Sequence, residues 1–208
     1  MFKQRIVFVH GAGQAGSAAW PRQHGMALDY DALFLRRHRF DPAAVPVESF
    51  AEDVSIVLRS LADDGRGAAG GHVVAHGHGA IAAMMAAVER PDLVFSLVLV
   101  EPDCLSLTAD LPATSAHIAL MKARLDEQAQ TGEAPPWEAP LQIVPGVPTL
   151  VLTGGWEPLY EEIAGYLRET GALHRIAAGG HRPQDSPEGD HFIRTFIAEA
   201  SRRRRTAA

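Results

Sequence analysis

Residues 75–80 of the sequence, Ala-His-Gly-His-Gly-Ala, have the spacing of a nucleophile elbow but lack a nucleophile. An elbow is a tight turn from a strand into a helix, and only small residues fit two positions before and two positions after the nucleophile. Ala75 and Gly79 are these small residues. The central position, which carries Ser, Cys or Asp in an elbow, is Gly77. The function therefore depends on the chemistry that remains when the attacking side chain is absent.

Three further segments carry residues that could act around Gly77. A glycine-rich turn, His10–Gly13, follows the first apolar run of the chain, and glycines let a backbone approach a substrate oxygen closely. Glu157 follows a later apolar strand, and His181 follows a pair of glycines after the last predicted strand. The order 77, 157, 181 is that of nucleophile, acid and base in one of the known triad folds.

These four segments together resemble the α/β-hydrolase superfamily, and the resemblance extends over most of the chain. It implies that the backbone near Gly11 and Ala12 and the N–H of His78 form the oxyanion hole. The two histidines beside Gly77 do not predict a metal site, because residues two apart in a tight turn point away from each other and no local carboxylate joins them. We expect His76 to be buried beneath the turn and His78 to face the cavity.

The resemblance also implies a carboxylate that orients His181, and two locations are open. Glu157 occupies the position of the triad acid and is preferred because of the chain order. It also precedes a helix that begins near Pro158, where a carboxylate is favoured in any case. The alternatives are Glu101 and Asp103, at the end of the preceding strand, where some members of the superfamily carry the acid.

Without a side chain at position 77, an acyl-enzyme cannot form through the elbow. A His–carboxylate pair and two backbone donors still suit proton removal beside a carbonyl group, with the enolate held in the oxyanion hole. This predicts a lyase-type elimination, isomerisation or cyclisation. The alternatives are hydrolysis by a water that His181 activates, a non-catalytic ligand-binding protein, and an engineered replacement of serine by glycine. Cys104 is a poor substitute nucleophile because it lies off the elbow.

The composition limits the class of protein. The chain has 208 residues, 47% of them hydrophobic, and a net charge of −6, which argues against nucleic acid as a partner. No apolar run is long enough to span a membrane, no signal peptide is evident, and the lone Cys104 excludes an internal disulfide. We therefore predict a cytoplasmic monomer or homodimer. Residues 202–208, which include a run of four arginines, are predicted to be a disordered tail.

Short apolar runs alternate with helical periodicity, which predicts a single α/β domain over residues 1–208 with a mostly parallel sheet of about six strands and helices on both faces. The predicted strands are Arg5–His10, Ala32–Leu35, His72–His76, Ser96–Glu101, Thr149–Thr153 and Leu173–Ala177. Residues 102–148 contain a helix over about 114–131 and a proline-rich loop. In a sheet of this type, an excursion after a strand lies over the carboxyl ends of the strands, where ligands bind. The segment therefore predicts a small lid.

The tryptophans indicate the kind of substrate. Trp20, Trp137 and Trp156 are predicted to form apolar pocket walls that suit a small hydrophobic carbonyl compound. No cofactor and no metal is expected. An alanine- and arginine-rich composition together with the superfamily resemblance is compatible with bacterial secondary metabolism.

Overall fold

The computed structural model describes residues 3–41, 50–62, 69–127 and 134–207. Six strands form one parallel sheet in the order β2-β1-β3-β4-β5-β6, which confirms the predicted fold class. Each predicted strand is present, with its ends within two residues of the prediction. The strands are β1 (Arg5–Val9), β2 (Asp31–Phe34), β3 (Gly71–His76), β4 (Val94–Val100), β5 (Thr149–Thr153) and β6 (Leu173–Ile176).

Helices cover both faces of this sheet because the central strands are apolar on both faces. In β1, Val7 packs into one core and Phe8 into the other, as the alternation of side chains along a strand requires. In the described part of the chain, helices pack against both faces. The first face carries α1 (Ala51–Leu61), α2 (Gly79–Glu89) and α4 (Pro158–Glu169), and the second carries α5 (Pro187–Ala207).

The excursion between β4 and β5 contains a fifth helix, α3 (Pro112–Glu127), and two short 3₁₀ turns. Residues 128–133, which include the predicted end of this helix and the start of the proline-rich loop, lie outside the described residues. The Glu162 carboxylate in α4 accepts hydrogen bonds from the N–H groups of Ala113 and Thr114, each at 2.8 Å. These bonds satisfy amides that a helix start leaves unpaired, and they attach α3 to α4.

The C-terminal segment differs from the prediction. Helix α5 continues through residues 202–207, which were predicted to be a disordered tail, and Ala208 lies outside the described residues. The Arg204 guanidinium lies 3.5 Å from the centroid of the Phe95 ring. One turn earlier, the Ser201 hydroxyl bonds to Nε2 of the buried His72 at 2.9 Å. These contacts of α5 with the sheet give the basic segment a structure that its charge alone does not predict.

Within the described ranges, no helix is both long enough and apolar enough to cross a membrane.

Candidate active site

The turn from β3 into α2 has the geometry of an elbow with Gly77 at its centre. Gly77 has a φ of +53°, in the left-handed region that glycine adopts without steric cost. Its N–H donates to the carbonyl oxygen of Val100 at 3.0 Å, which ties the turn to the end of β4. A Cβ on Gly79 would lie 2.6 Å from the carbonyl oxygen of His10, so only glycine lets α2 begin this close to the end of β1. The small residue that the motif requires at position 79 therefore has a packing reason.

His181 lies beside the position that a nucleophile would occupy. Its Nε2 is 3.8 Å from the point where a Cβ on Gly77 would stand. The side chain is 41% exposed, so that a ligand can reach it from solvent. The loop that carries it has two left-handed glycines in succession, Gly179 at a φ of +135° and Gly180 at +57°. The structure thus brings together the predicted positions 77 and 181.

The carboxylate next to His181 is Glu101, not the preferred Glu157. His181 Nδ1 lies 3.6 Å from Glu101 Oε2. Glu101 is fully buried, and its two oxygens accept hydrogen bonds from the Gly154 N–H at 2.5 Å and the Trp156 Nε1–H at 2.8 Å. Glu157 instead occupies the N-cap position of α4 without a side-chain cap bond. The chain-order preference placed Glu157 beside His181, and the structure instead places there Glu101, the alternative carboxylate that follows β4.

Glu101 also holds a backbone conformation that is uncommon outside glycine, with a φ of +42°. Its N–H donates to the carbonyl oxygen of Leu152 at 2.9 Å, so the strained residue is fixed by the neighbouring strand β5. Such strain costs on the order of 1–3 kcal/mol and persists where the surrounding structure imposes it, which is common at functional sites.

Asp103, the second alternative acid, occupies a different place in the site. Its Oδ2 lies 3.4 Å from the point where a Cβ on Gly77 would stand. Its N–H donates to the Gly77 carbonyl oxygen at 3.2 Å, and its Oδ1 accepts a hydrogen bond from the Tyr160 hydroxyl at 3.3 Å. Loss of hydration raises the pKa of Asp103 to about 6, although the neighbouring His181 acts in the opposite direction. Sequence reasoning missed Tyr160, whose only signal was its place in the first turn of α4.

Two buried histidines, His76 and His10, hold the backbone around the elbow. His76 is buried beneath the turn, as predicted, and its Nε2–H donates to the His181 carbonyl oxygen at 2.8 Å. Burial lowers the pKa of His76 to about 3, so this ring stays neutral while it holds the His181 loop. His10 is also buried, and its Nδ1–H donates to the carbonyl oxygen of Gly11 at 2.7 Å, which fixes the glycine-rich turn.

The predicted oxyanion groups border the same space. The Gly11 Cα lies 3.7 Å from the point where a Cβ on Gly77 would stand. Ala12 follows on the exposed side of the turn, and its N–H donates to no acceptor in the described part of the chain. His78 is the N-cap of α2, so its amide lies at the positive end of the helix, and its ring is 5.6 Å from that of Phe50.

The three predicted wall tryptophans have three different environments. Trp20 is completely buried and packs on Phe8 in the core beneath α5, so its assignment to the pocket is corrected. Trp156 is half exposed, and its ring centroid is 6.2 Å from that of His181. Trp137 lies in the excursion between β4 and β5, with the Lys122 ammonium 5.8 Å from its ring centroid. Of the three, the structure brings Trp156 next to His181.

A cavity of about 440 Å³ lies away from this site, near the start of β5. Its lining includes Met84, Leu167, Phe196 and Arg203, and none of the site residues. Cys104 is buried with its Sγ 3.5 Å from the Met84 Sδ, and burial raises the pKa of its thiol. A buried, protonated thiol is inert, which agrees with its rejection as a nucleophile. Among the described residues, no three His, Cys, Asp or Glu side chains are grouped in a way that could hold a metal ion.

Comparison of the sequence with protein-family models and with curated proteins finds no match. The structure, in contrast, is similar to many solved structures. A carboxylesterase from the ammonia-oxidizing Thaumarchaeon Nitrososphaera gargenis has a TM-score of 0.67 at 15% identity, covering 96% of this chain and 92% of that chain. NosK from Streptomyces actuosus has a TM-score of 0.63 at 22% identity, covering 96% and 99%. A mutant epoxide hydrolase from Bacillus megaterium has a TM-score of 0.68 at 13% identity, covering 95% and 94%.

These similarities show that the chain has the α/β-hydrolase fold, as the sequence motifs predicted. At these identities they show the fold alone, and function has to be argued from the site.

Proposed function

We propose that this protein is an enzyme in which His181 acts as a general base and removes a proton beside a carbonyl group, in a lyase-type elimination, isomerisation or cyclisation. The observation that carries the proposal is the distance of 3.8 Å from His181 Nε2 to the point where a Cβ on Gly77 would stand, a position that glycine leaves without a side chain. The base and its carboxylate are retained, and the nucleophile they would activate in a hydrolase is missing. A substrate carbon can take the place that a serine hydroxyl would fill.

Glu101 has the role of orienting the base. Because its carboxylate lies nearest to Nδ1 of His181, it favours the tautomer with the proton on Nδ1 and leaves the Nε2 lone pair facing the site. It also stabilises the imidazolium that forms when Nε2 takes up a proton. The distance of 3.6 Å is longer than a hydrogen bond, and catalytic contacts of this kind shorten when substrate binds.

The developing enolate oxygen is held by the N–H groups of Ala12 and His78. His78 follows Gly77 at the N-terminus of α2, where the helix dipole favours negative charge, and Ala12 follows Gly11, whose Cα borders the same space. The aromatic rings of Trp156 and Tyr160 lie beside His181, with centroids 6.2 and 5.4 Å from its ring. They favour a small hydrophobic carbonyl compound as substrate, and such chemistry fits secondary metabolism.

Hydrolysis by an activated water is the second candidate, and the exposure of His181 supports it. A water bound over Gly77 would be within reach of Nε2, and attack on an ester would need the same two amides. A carboxylesterase and an epoxide hydrolase are among the structural neighbours, and hydrolysis is therefore the alternative to test. This route needs no proton removal from carbon, and the two candidates therefore differ in what they exchange with solvent.

Benzylacetone, a hydrophobic ketone without a leaving group, distinguishes these possibilities. In deuterated water the enzyme should exchange the hydrogens next to the carbonyl group, as followed by NMR, and His181→Ala should abolish the exchange. The hydrolytic route predicts instead that methyl phenylacetate is cleaved in ¹⁸O-labelled water with incorporation of the label into the acid. A protein that binds the ketone but shows neither reaction would be a binding protein, and the proposal would be rejected.

A further inference from the structure

We propose that Asp103 is a second catalytic residue of this site, whose carboxyl group donates a proton to the leaving group while His181 removes the proton from carbon. The inference rests on the function proposed above, and it identifies the substrates as carbonyl compounds whose β-carbon bears a leaving group that needs protonation. Asp103 is thereby distinguished from Glu101, which acts only through His181.

The geometry places two proton-transfer groups beside one position that residue 77, a glycine, leaves without a side chain. Asp103 Oδ2 is 3.4 Å and His181 Nε2 is 3.8 Å from the point where a Cβ on Gly77 would stand. Within the described part of the chain, the ion pair of His181 is with Glu101 and not with Asp103. Because both groups approach the same point, a substrate atom at that point would be within reach of both.

The hydrogen bonds of Asp103 direct its proton toward that space. Its Oδ1 accepts from the Tyr160 hydroxyl at 3.3 Å, and this bond persists when the carboxyl group is protonated on the other oxygen. Protonation is thus favoured on Oδ2, the oxygen that faces Gly77. The backbone N–H of Asp103 donates to the Gly77 carbonyl oxygen, and this bond attaches the backbone of Asp103 to the elbow.

The charges around Asp103 permit a protonated fraction near neutral pH. Loss of hydration is the largest influence and raises its pKa, and Glu101 on the end of β4 acts in the same direction. His181 on the loop after β6, the Tyr160 hydroxyl on α4 and the Arg37 guanidinium on the loop after β2 lower it. The net effect is a carboxyl group with a pKa of about 6, which can both hold and give up a proton near neutral pH.

The elimination needs only the two proton-transfer groups, His181 and Asp103. His181 Nε2 takes the proton from the carbon next to the carbonyl group, and the C–H electron pair becomes the new carbon–carbon double bond. The bond between the β-carbon and the leaving group breaks, and its electron pair accepts the proton from Asp103 Oδ2. The imidazolium returns its proton to the Asp103 carboxylate after the products leave, which restores both groups without any further reactant.

The test compares two butanones that carry an aryloxy group on the β-carbon. The para-methoxyphenoxy compound has a poor leaving group that needs protonation, and the para-nitrophenoxy compound has a good one that does not. Asp103→Asn, which keeps the shape of the side chain and an acceptor for Tyr160, should lower kcat/KM for the first compound by at least ~10²-fold, the range of general-acid catalysis. It should lower kcat/KM for the second by less than about tenfold. Asp110→Asn, an exposed carboxylate of the same excursion, is the matched control and should change neither.

An equal loss with both ketones would overturn the role of Asp103, because a structural effect does not depend on the leaving group. Exchange of the benzylacetone hydrogens separates this failure from failure of the proposed function. If wild type and Asp103→Asn both exchange deuterium and eliminate both aryloxides equally fast, His181 is the base and the inference about Asp103 is wrong. If wild type neither exchanges nor eliminates, the proposed function fails first and the inference fails with it.

Discussion

Gly154 and Gly180 touch so closely that a Cβ on Gly154 would overlap the carbonyl oxygen of Gly180. The contact joins the loop after β5 to the loop that carries His181. Gly154 also donates its N–H to the Glu101 carboxylate. One glycine therefore sets the distance between the base and the carboxylate that orients it.

Gly154→Ala should displace the His181 loop and impair the site. The nearest atoms that the added methyl meets belong to the Gly180 backbone, so the loop itself has to move, and a shift of about 1 Å can cost ~10²-fold in rate. We expect a lower kcat for the para-nitrophenoxy ketone and a lower melting temperature. The matched control is Gly165→Ala in α4, where a Cβ meets nothing within 4 Å. It should stabilise the helix by about 0.5–1 kcal/mol and leave kcat unchanged. Normal activity of Gly154→Ala would show that the loop contact does not position His181.

Glu101→Gln should reduce activity strongly, and Glu157→Gln should not. A neutral amide at position 101 cannot stabilise the imidazolium. Its NH₂ group would also face the N–H of Gly154 or of the Trp156 indole, and two donors cannot form a hydrogen bond with each other. We expect kcat for the para-nitrophenoxy ketone to fall by at least ~10²-fold, since the equivalent change in a serine protease costs ~10⁴-fold. Glu157→Gln serves as the control. The assignment would be reversed if Glu157→Gln caused the loss and Glu101→Gln did not.

Gly77→Ser should create an esterase, because the site would then hold a hydroxyl beside His181 Nε2. A Cβ at this position has no contact closer than 3.4 Å, so the side chain fits. The left-handed backbone stores about 1–3 kcal/mol of strain for a residue with a side chain, and the variant should melt at a lower temperature. It should hydrolyse para-nitrophenyl acetate and react with a fluorophosphonate, neither of which wild type should do.

Gly77→Ala separates strain from chemistry in this test. It carries the same backbone strain but no hydroxyl, so it should match the lower melting temperature of Gly77→Ser and remain inert toward both reagents. If Gly77→Ser is folded but unreactive, Gly77 and His181 do not converge in solution.

The stability of the protein should fall as the pH drops below about 6.5 because buried histidines resist protonation. Burial lowers the pKa of His72 to about 4, assisted by the positive charge of Arg204. Between pH ~6.5 and ~4 the unfolded chain binds a proton at this residue and the folded chain does not, which lowers the free energy of unfolding by up to ~1.4 kcal/mol per pH unit. In urea titrations between these pH values, His72→Gln should reduce the slope of the free energy of unfolding against pH by up to ~1.4 kcal/mol per pH unit.

The fold could be predicted because its signals are local. Each strand is a short apolar run, and the glycines of the elbow and of the His181 loop occupy left-handed or crowded positions that other residues cannot adopt. The acid was misplaced for a different reason. Glu101 and Glu157 each follow an apolar strand, and only the three-dimensional approach of β4 and β5 shows which carboxylate lies beside His181.

Two further differences between the prediction and the structure arise because the sequence does not show the path of the chain outside the strands and helices. Trp20 looked like a pocket wall, but the 3₁₀ turn at Gly16–Ala19 leads its indole under α5 against Phe8. Asp103 was considered as an orienting acid, and its contact with Gly77 and Tyr160 depends on the path of the chain after β4. Side-chain periodicity carries no information about such a path.

The indole of Trp156 makes the site observable by its own fluorescence. Its ring is about half exposed, and its Nε1–H donates to the carboxylate next to His181, so a ligand that enters the site changes the surroundings of the indole. Trp20, by contrast, is sealed in the core and responds to neither iodide nor pH while the protein stays folded. Emission that a soluble quencher suppresses therefore originates mainly outside the core, and its change on adding a ketone reports occupancy at equilibrium, with no label and no turnover. Any compound collection could be screened on the native chain by this signal alone.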